Sequence, residues 1–139
     1  MAYEGYLIKV GTYTVPFNYI SAKSFKCGIK GQDLDSTRNA NGIAQRDALE
    51  NEAIKVEWDV PAPIEENEVR KLMDAIQGQY IQKYEKKAPI TAWMPEIGKY
   101  VVMDCYMPDV EYAVDYADER DISYESFRIA FIGYGGKVR

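Results

Sequence analysis

The stretch from residue 33 to residue 42 concentrates the side chains best able to bind a cation or move a proton. Asp33 and Asp35 alternate as in the first half of a calcium-binding loop. That loop needs a glycine at its sixth position and a bidentate glutamate at its twelfth, where this sequence has Arg38 and Ala44. A calcium site is therefore not predicted, and a turn-rich segment with Asx caps accounts for the same residues.

Catalytic chemistry has little support elsewhere in the sequence. There is no histidine, which excludes the usual catalytic triads, histidine-containing zinc sites and the commonest general base. Ser36 lacks the Gly-x-Ser-x-Gly context of a nucleophile elbow. Gly133, Gly135 and Gly136 precede no helix that could bind a phosphate. We therefore predict no enzymatic activity, no metal site and no cofactor.

The composition is that of one soluble domain spanning residues 1–139. Of the 139 residues, 47% are hydrophobic and 28% are charged, which is enough apolar surface for a core. The formal net charge of −5 argues against a protein that coats nucleic acid. Cys27 and Cys105 lie far apart without a CxxC motif, and we expect two buried free thiols. Neither a membrane span nor a signal peptide is predicted.

Alternation of apolar and polar residues predicts a mainly β fold. Tyr6–Val10 and Tyr13–Val15 are expected to form a hairpin, and Tyr19–Cys27 a further strand. Ile54–Val60 alternates strictly, as an antiparallel strand with one buried face does. Phe127–Ile132 is apolar on both faces, which is typical of a central strand that is covered on both sides.

One helix is predicted over residues 64–77. Pro63 suits its first position, and apolar side chains recur on one face at helical spacing. After it, Ile90–Met94 and Lys99–Met107 predict another hairpin. The fold class expected is a β-sandwich or partly closed barrel of seven to nine strands, with one packed helix and one long loop.

That long loop, called the arm below, covers residues 28–47. Glycine, asparagine and aspartate dominate it, and these residues favour turns. A segment of this length between two strands is longer than an ordinary hairpin loop. We therefore expect an irregular arm that projects from the domain.

Charge is distributed unevenly along the chain. Residues 1–47 carry six basic and four acidic side chains, whereas residues 48–139 carry eleven and eighteen. Within the second part Val110–Tyr116 alternates apolar and acidic residues like a strand. The six carboxylates called the acidic cluster lie directly before, in and after this stretch: Asp109, Glu111, Asp115, Asp118, Glu119 and Asp121. Such a run is either a solvated hairpin face or a surface that meets a basic partner or repels a polyanion.

A family resemblance rests on residues 31–42, which read GQDLDSTRNANG, on Arg46-Asp47, and on the strand and Pro-led helix that follow. This order resembles short tail-region structural proteins of long-tailed phages and prophages of Gram-positive bacteria. In that family a D-x-D-S-x-R-x-x-x-G stretch and an R-D pair precede a strand and a helix of the same kind. The resemblance covers roughly residues 20 to 105.

The resemblance implies structural work in a virion tail assembled in the bacterial cytoplasm. The implied protein is a distal-tail or baseplate adaptor forming a homo-oligomeric ring, usually a hexamer, around the DNA channel. A tail-tube or tail-completion ring is the alternative. The implied partners are further copies, tube, tape-measure and hub proteins, and DNA that passes without specific binding. The implied contacts of the arm with a neighbouring copy involve Gln32, Asp33, Leu34, Asp35, Arg38, Asn39, Asn41 and Arg46.

The acidic cluster has two competing uses under this resemblance. It either pairs with arginines of a neighbouring arm or lines the channel, where negative charge would keep DNA from adhering. A hypothesis from a different class also stays open. A non-viral, monomeric carbohydrate- or ligand-binding β-sandwich would use Trp58, Trp93 and the tyrosines as a binding platform.

Overall fold

The computed structural model of the chain describes residues 3–38 and 40–138, without the side chains of residues 32–38 and 44–49. Within that part, ten strands and one α-helix are present, and two short 3-10 turns precede the third strand. In chain order the elements are β1 (Ile8–Val10), β2 (Tyr13–Thr14), β3 (Lys26–Arg38), β4 (Ala44–Val60), β5 (Ile64–Glu65), α1 (Glu66–Gln77), β6 (Lys87–Met94), β7 (Lys99–Tyr106), β8 (Val114–Ala117), β9 (Ile122–Tyr124) and β10 (Phe127–Gly133).

The strands form two sheets, both entirely antiparallel in their described pairings. The large sheet has the order β2-β1-β6-β7-β10-β4-β3, and the small sheet has the order β5-β9-β8. Neither sheet closes into a barrel. The predicted mainly β, sandwich-like class with one helix is therefore confirmed, although the described residues form ten strands and not the predicted seven to nine.

The core lies on one face of the large sheet. In β4 the side chains of Ile54, Val56, Trp58 and Val60 are all fully buried, which confirms the strand predicted from their alternation. β6, β7 and β10 contribute buried residues in the same alternating way. The indole N–H of Trp58 donates to the Tyr19 carbonyl oxygen at 3.1 Å, so the largest core side chain has its polar atom satisfied.

Helix α1 covers this core with one apolar face. Val69, Leu72, Met73 and Ile76 are buried, as their spacing predicts. The helix begins at Glu66 rather than after Pro63, because Ile64–Glu65 pairs with β9 as a strand. Among the residues described, no helix has the length and apolar character needed to cross a membrane.

The strand predicted over Tyr19–Cys27 is wrong for most of its length. Phe17–Tyr19 and Ala22–Ser24 form 3-10 turns, and strand structure starts only at Lys26. The Ser24 hydroxyl explains the second turn, since it donates to the Ser21 carbonyl oxygen at 2.6 Å and accepts the Asp59 N–H at 2.8 Å. Such local side-chain hydrogen bonds compete with a regular ladder.

Strand β10 is central but not covered on both faces, contrary to the prediction. It lies between β7 and β4, with Phe127, Ile129 and Phe131 buried. On its other face Arg128 is exposed, and Ala130 and Ile132 are only half-buried. The reason is that the apolar core is built on one face of the large sheet alone.

The two cysteines are free thiols, as expected. Cys105 is fully buried in β7, whereas Cys27 in β3 is only half-buried. Burial raises the pKa of the Cys105 thiol to about 12, so this side chain packs as a small apolar residue at neutral pH.

Candidate functional site

The arm is the outer part of a long β-hairpin made by β3 and β4. The two strands pair from Lys26 opposite Glu57 to Arg38 opposite Ala44, with register shifts between Gly31 and Ser36. Strand β10 pairs with β4 only over residues 55–60, and an isolated bridge joins Glu52 to Gly136. Beyond that bridge, the described pairings of the ribbon are those of β3 with β4.

The prediction of an irregular arm is therefore wrong, although a long extension at this place in the chain is present. Backbone pairing between the two strands prevails over a composition that favours turns, and the register shifts mark where that composition interrupts the ladder. The turn itself contains Gly42 at φ +80°, a conformation that glycine adopts without strain.

The predicted contact residues of the arm are located mostly by their backbone. Residues 32–38 and Arg46 lie on β3 and β4, and their side chains lie outside the described part, as does the whole of Asn39. Asn41 is exposed in the turn. The role assigned to these side chains stays a prediction.

The acidic cluster divides into groups with different surroundings. Asp109 lies before β8, and its carboxylate accepts a hydrogen bond from the Lys86 ammonium at 2.7 Å. This hydrogen bond and charge hold the pKa of the Asp109 carboxyl below its ordinary value. Asp109 is thus a partner of Lys86 on the β6 side rather than part of one continuous acidic surface.

Asp118 organises the β8–β9 hairpin. Its carboxylate accepts the Tyr116 hydroxyl at 2.7 Å and the backbone N–H groups of Arg120 and Asp121 at 2.8 and 2.7 Å. These three donors, the Tyr116 hydroxyl above all, hold the pKa of Asp118 below its ordinary value of 3.8. Asp118 therefore acts as a turn cap.

The remaining members of the cluster present their charge to solvent. Glu111, Asp115, Glu119 and Asp121 are exposed, and the ion pairs within the described part of the chain include none of them. Apolar side chains accompany them, because Val114 and Tyr116 on β8 are 52% and 56% exposed. The sequence suggested the charge of this surface, but its exposed apolar component appears only in the structure.

The first turn of α1 is hydrogen-bonded to the 3-10 turn Phe17–Tyr19 and to the small sheet. Tyr19 donates its hydroxyl proton to Glu68, and Tyr124 of β9 donates to Glu66. The bond to Glu68 raises the pKa of Tyr19 to about 12 and lowers that of Glu68. These carboxylates are thus occupied in holding that 3-10 turn and β9 against the helix.

Several surface grooves lie along α1, and two of them differ in character. One, of about 780 Å³, lies between the helix and the β8–β9 hairpin and is lined mainly by polar side chains, among them Glu66, Arg70 and Arg120. The other, of about 610 Å³, is lined by Met73, Tyr80 and further apolar residues with two lysines. In the part of the chain that is described, no group of three or more cysteine, aspartate or glutamate side chains could hold a metal ion.

The two tryptophans have different surroundings. Trp58 is completely buried between Phe25 and Phe131 and cannot serve as a binding platform. Trp93 is half-buried on the other face of the large sheet and meets the rings of Tyr3 and Tyr100 edge to face. The sequence did contain a signal for this position. Trp93 alternates along β6 with Ala92 and Met94, which are buried on the opposite face of the sheet.

A fold similar to this one occurs in a solved virion structure. The protein is similar to a chain of a solved structure described as "Virion of native gene transfer agent (GTA) particle", with a TM-score of 0.52 and 13% identity. The similarity covers 97% of this chain and 96% of that chain, and at this identity it shows the fold alone. No curated protein matches the sequence. The family model of DUF6711 matches residues 1–134, and the chain therefore belongs to this family of unknown function.

Proposed function

We propose that this chain is a structural protein of a phage-type virion and works by assembling with itself and with other virion proteins. The observation that carries the proposal is the fold likeness to a chain of a gene transfer agent particle, which extends over nearly the whole of both chains. A match confined to a few strands would have little weight, because sheets of this kind occur in many functions.

The arm supports assembly as the mode of action. Beyond the bridge between Glu52 and Gly136, the ribbon extends past the strands that flank β4. A ribbon whose described strand pairings beyond the bridge are those between its own two strands is able to contact a second copy. In this proposal the predicted arm residues, including Arg38 and Arg46, make that contact.

The finer assignment is a tail ring around the DNA channel, at the distal end where the tube meets the baseplate. It rests on the order of motifs in residues 20 to 105 described above. A tail-tube or tail-completion ring is the close alternative. The proposed protein is not an enzyme, its place is the virion tail, and its neighbours are tube, tape-measure and hub proteins.

A truncation designed on the strand register tests the assembly role. Gly31 and Glu52 are opposite each other, so residues 32–51 can be replaced by an Asn-Gly turn without disturbing β10 or the Gly136 bridge. The expected result is a folded monomer, whereas the full chain forms rings. Light scattering over a concentration series and negative-stain imaging measure this.

Circular dichroism and the melting temperature control for folding of the truncated chain. Rings that persist after the truncation would show that the arm is not the assembly element. A full chain that remains monomeric at every concentration, alone and with neighbouring tail proteins, would contradict the proposed function itself.

The carbohydrate-binding hypothesis is weakened by the burial of Trp58. What remains of it is the half-buried aromatic group of Trp93, Tyr100, Tyr6 and Tyr3. A glycan that quenches the tryptophan fluorescence of the wild-type chain and not of Trp93→Phe would favour that hypothesis over the virion role.

A further inference from the structure

Three lysines form a positively charged surface at the edge of the large sheet, called the lysine patch below. Lys26 and Lys30 flank Gly28 on one face of β3, and Lys55 of β4 lies directly opposite Gly28. They line a shallow depression of about 200 Å³. A Cβ atom added to Gly28 would meet nothing within 4 Å, so the surface between the lysines is open.

The described part of one copy supplies no ion pair to any of the three lysines of the patch. Glu57 lies opposite Lys26, but Arg128 engages that carboxylate at 3.4 Å. Three like charges placed side by side oppose one another, and an acidic partner would relieve this.

The β8–β9 hairpin carries the charge opposite to that of the lysine patch. Val114 and Tyr116 give it an exposed apolar centre, and Asp115, Glu119 and Asp121 surround that centre with charge. An apolar and aromatic centre with a polar rim is the usual anatomy of a protein interface. Strand β8 is also an edge of its sheet, since it is joined only to β9 in the described pairings.

We propose that the β8–β9 hairpin of one copy docks on the lysine patch of the next copy. The argument is charge complementarity between two surfaces of one chain, supported by the apolar centre of the hairpin. The two surfaces differ, so the contact is heterologous: it repeats from copy to copy and closes into a ring when the rotation allows. This inference rests on the proposed function, because it names the contact by which the copies associate.

Nucleic acid is the competing occupant of the lysine patch. The net charge of −5 and the exposed carboxylates of the β8–β9 hairpin disfavour it, since binding to DNA relies on a broad basic surface. Three lysines with an open glycine between them match a small acidic hairpin better than a long polyanion.

A charge exchange tests the contact. One variant reverses the patch by Lys26→Glu and Lys30→Glu, and another reverses the hairpin by Glu119→Lys and Asp121→Lys. Each alone should raise the concentration needed for half-assembly by at least about tenfold, because like charges then face each other across the contact. The effect should be larger at low salt than at high salt.

The decisive measurement is whether combining the two charge reversals restores assembly. An equimolar mixture of the two variants should assemble, since each contact then joins opposite charges. A single chain with all four substitutions should also assemble, within about threefold of wild type if the pairing is mainly electrostatic. The matched control is Lys83→Glu with Lys99→Glu, two exposed lysines elsewhere on the surface, which should leave assembly unchanged.

Four outcomes would overturn the inference, and circular dichroism of each variant excludes misfolding as their cause. Assembly of both charge-reversed variants at wild-type concentration, or failure of the mixture to assemble, contradicts this contact while leaving the virion role intact. Binding of a short fluorescent DNA duplex that is lost with Lys26→Glu and Lys30→Glu, while assembly is unchanged, assigns the patch to nucleic acid. A wild-type chain that never associates contradicts both proposals.

Discussion

The large sheet and the small sheet are both antiparallel, yet they are held in place differently. In the large sheet, β6, β10 and residues 54–60 of β4 bury every second side chain, and Trp58, Ile90 and Phe131 are completely inaccessible. In the small sheet, all four residues of β8 are exposed. Apolar burial therefore stabilises the first sheet, whereas β5 and β9 of the second contribute only Ile64 and the half-buried Tyr124 to the core.

Polar contacts hold the small sheet. Asp118 caps the turn between β8 and β9, the Glu125 N–H donates to the Ala113 carbonyl oxygen at 2.8 Å, and Tyr124 bonds Glu66 of the helix. Because these contacts need little apolar surface, Val114 and Tyr116 remain accessible to another molecule. In the proposed assembly the large sheet is therefore the scaffold, and the small sheet is the contact surface.

The largest effect should come from emptying the core of the large sheet. Trp58→Ala removes the side chain between Phe25 and Phe131 and should lower the free energy of unfolding by about 3–5 kcal/mol. Tyr116→Ala in the small sheet is the matched aromatic control and should change it by less than about 0.5 kcal/mol. Urea denaturation of the monomer measures both, and equal losses would refute the comparison.

A smaller effect should come from overfilling the same core. A Cβ atom on Gly133 would lie 2.5 Å from Met103 Sδ and 3.0 Å from the Ile54 backbone nitrogen. Gly133→Ala should therefore destabilise the fold by about 1–3 kcal/mol.

Gly28→Ala is the matched control for that substitution, because an added Cβ there meets nothing within 4 Å. Denaturation midpoints compare the two variants. If Gly133→Ala had as high a denaturation midpoint as Gly28→Ala, Met103 and β4 would be able to move away from the added methyl group without a loss of stability.

The difference in burial between the two sheets also explains which elements the sequence could predict. Ile54–Val60 and α1 bury one face, so their periodicity is visible in the residue pattern, and both were predicted correctly. β8 and β9 bury no complete face. Accordingly, the predicted strand Val110–Tyr116 is found only as Val114–Ala117, and β9 was not predicted.

The surfaces proposed to make contacts, the lysine patch and the arm, were less predictable for a further reason. The lysine patch depends on the register that brings Lys55 beside Lys26 and Lys30, and a single sequence does not contain that register. The arm was predicted as a long extension, but pairing between its two strands could not be read from residues that favour turns. Asp118 was predicted as one charge among six, whereas its three donors become apparent only once the turn is formed.

The smallest effect should be a local, pH-dependent loosening of the small sheet. The pKa of Asp118 is held below 3.8 by the Tyr116 hydroxyl and by the N–H groups of Asp121 and Arg120. A carboxylate whose pKa is lowered by folding contributes stability above its unfolded value, and that stability is lost as the pH falls through the folded value. The turn should therefore open below about pH 4, while the large sheet persists.

Amide hydrogen exchange at Arg120 and Asp121 measures this opening. In Asp118→Ala these two amides should exchange fast already at neutral pH, and their exchange should show no additional opening at acid pH. The urea midpoint of the whole chain should be nearly unchanged. Asp115→Ala, which removes an exposed carboxylate from the same hairpin, should leave exchange at both amides as in wild type. If Asp118→Ala instead lowered the midpoint as much as Gly133→Ala, the small sheet would be part of the cooperative core and the distinction between scaffold and contact surface would fail.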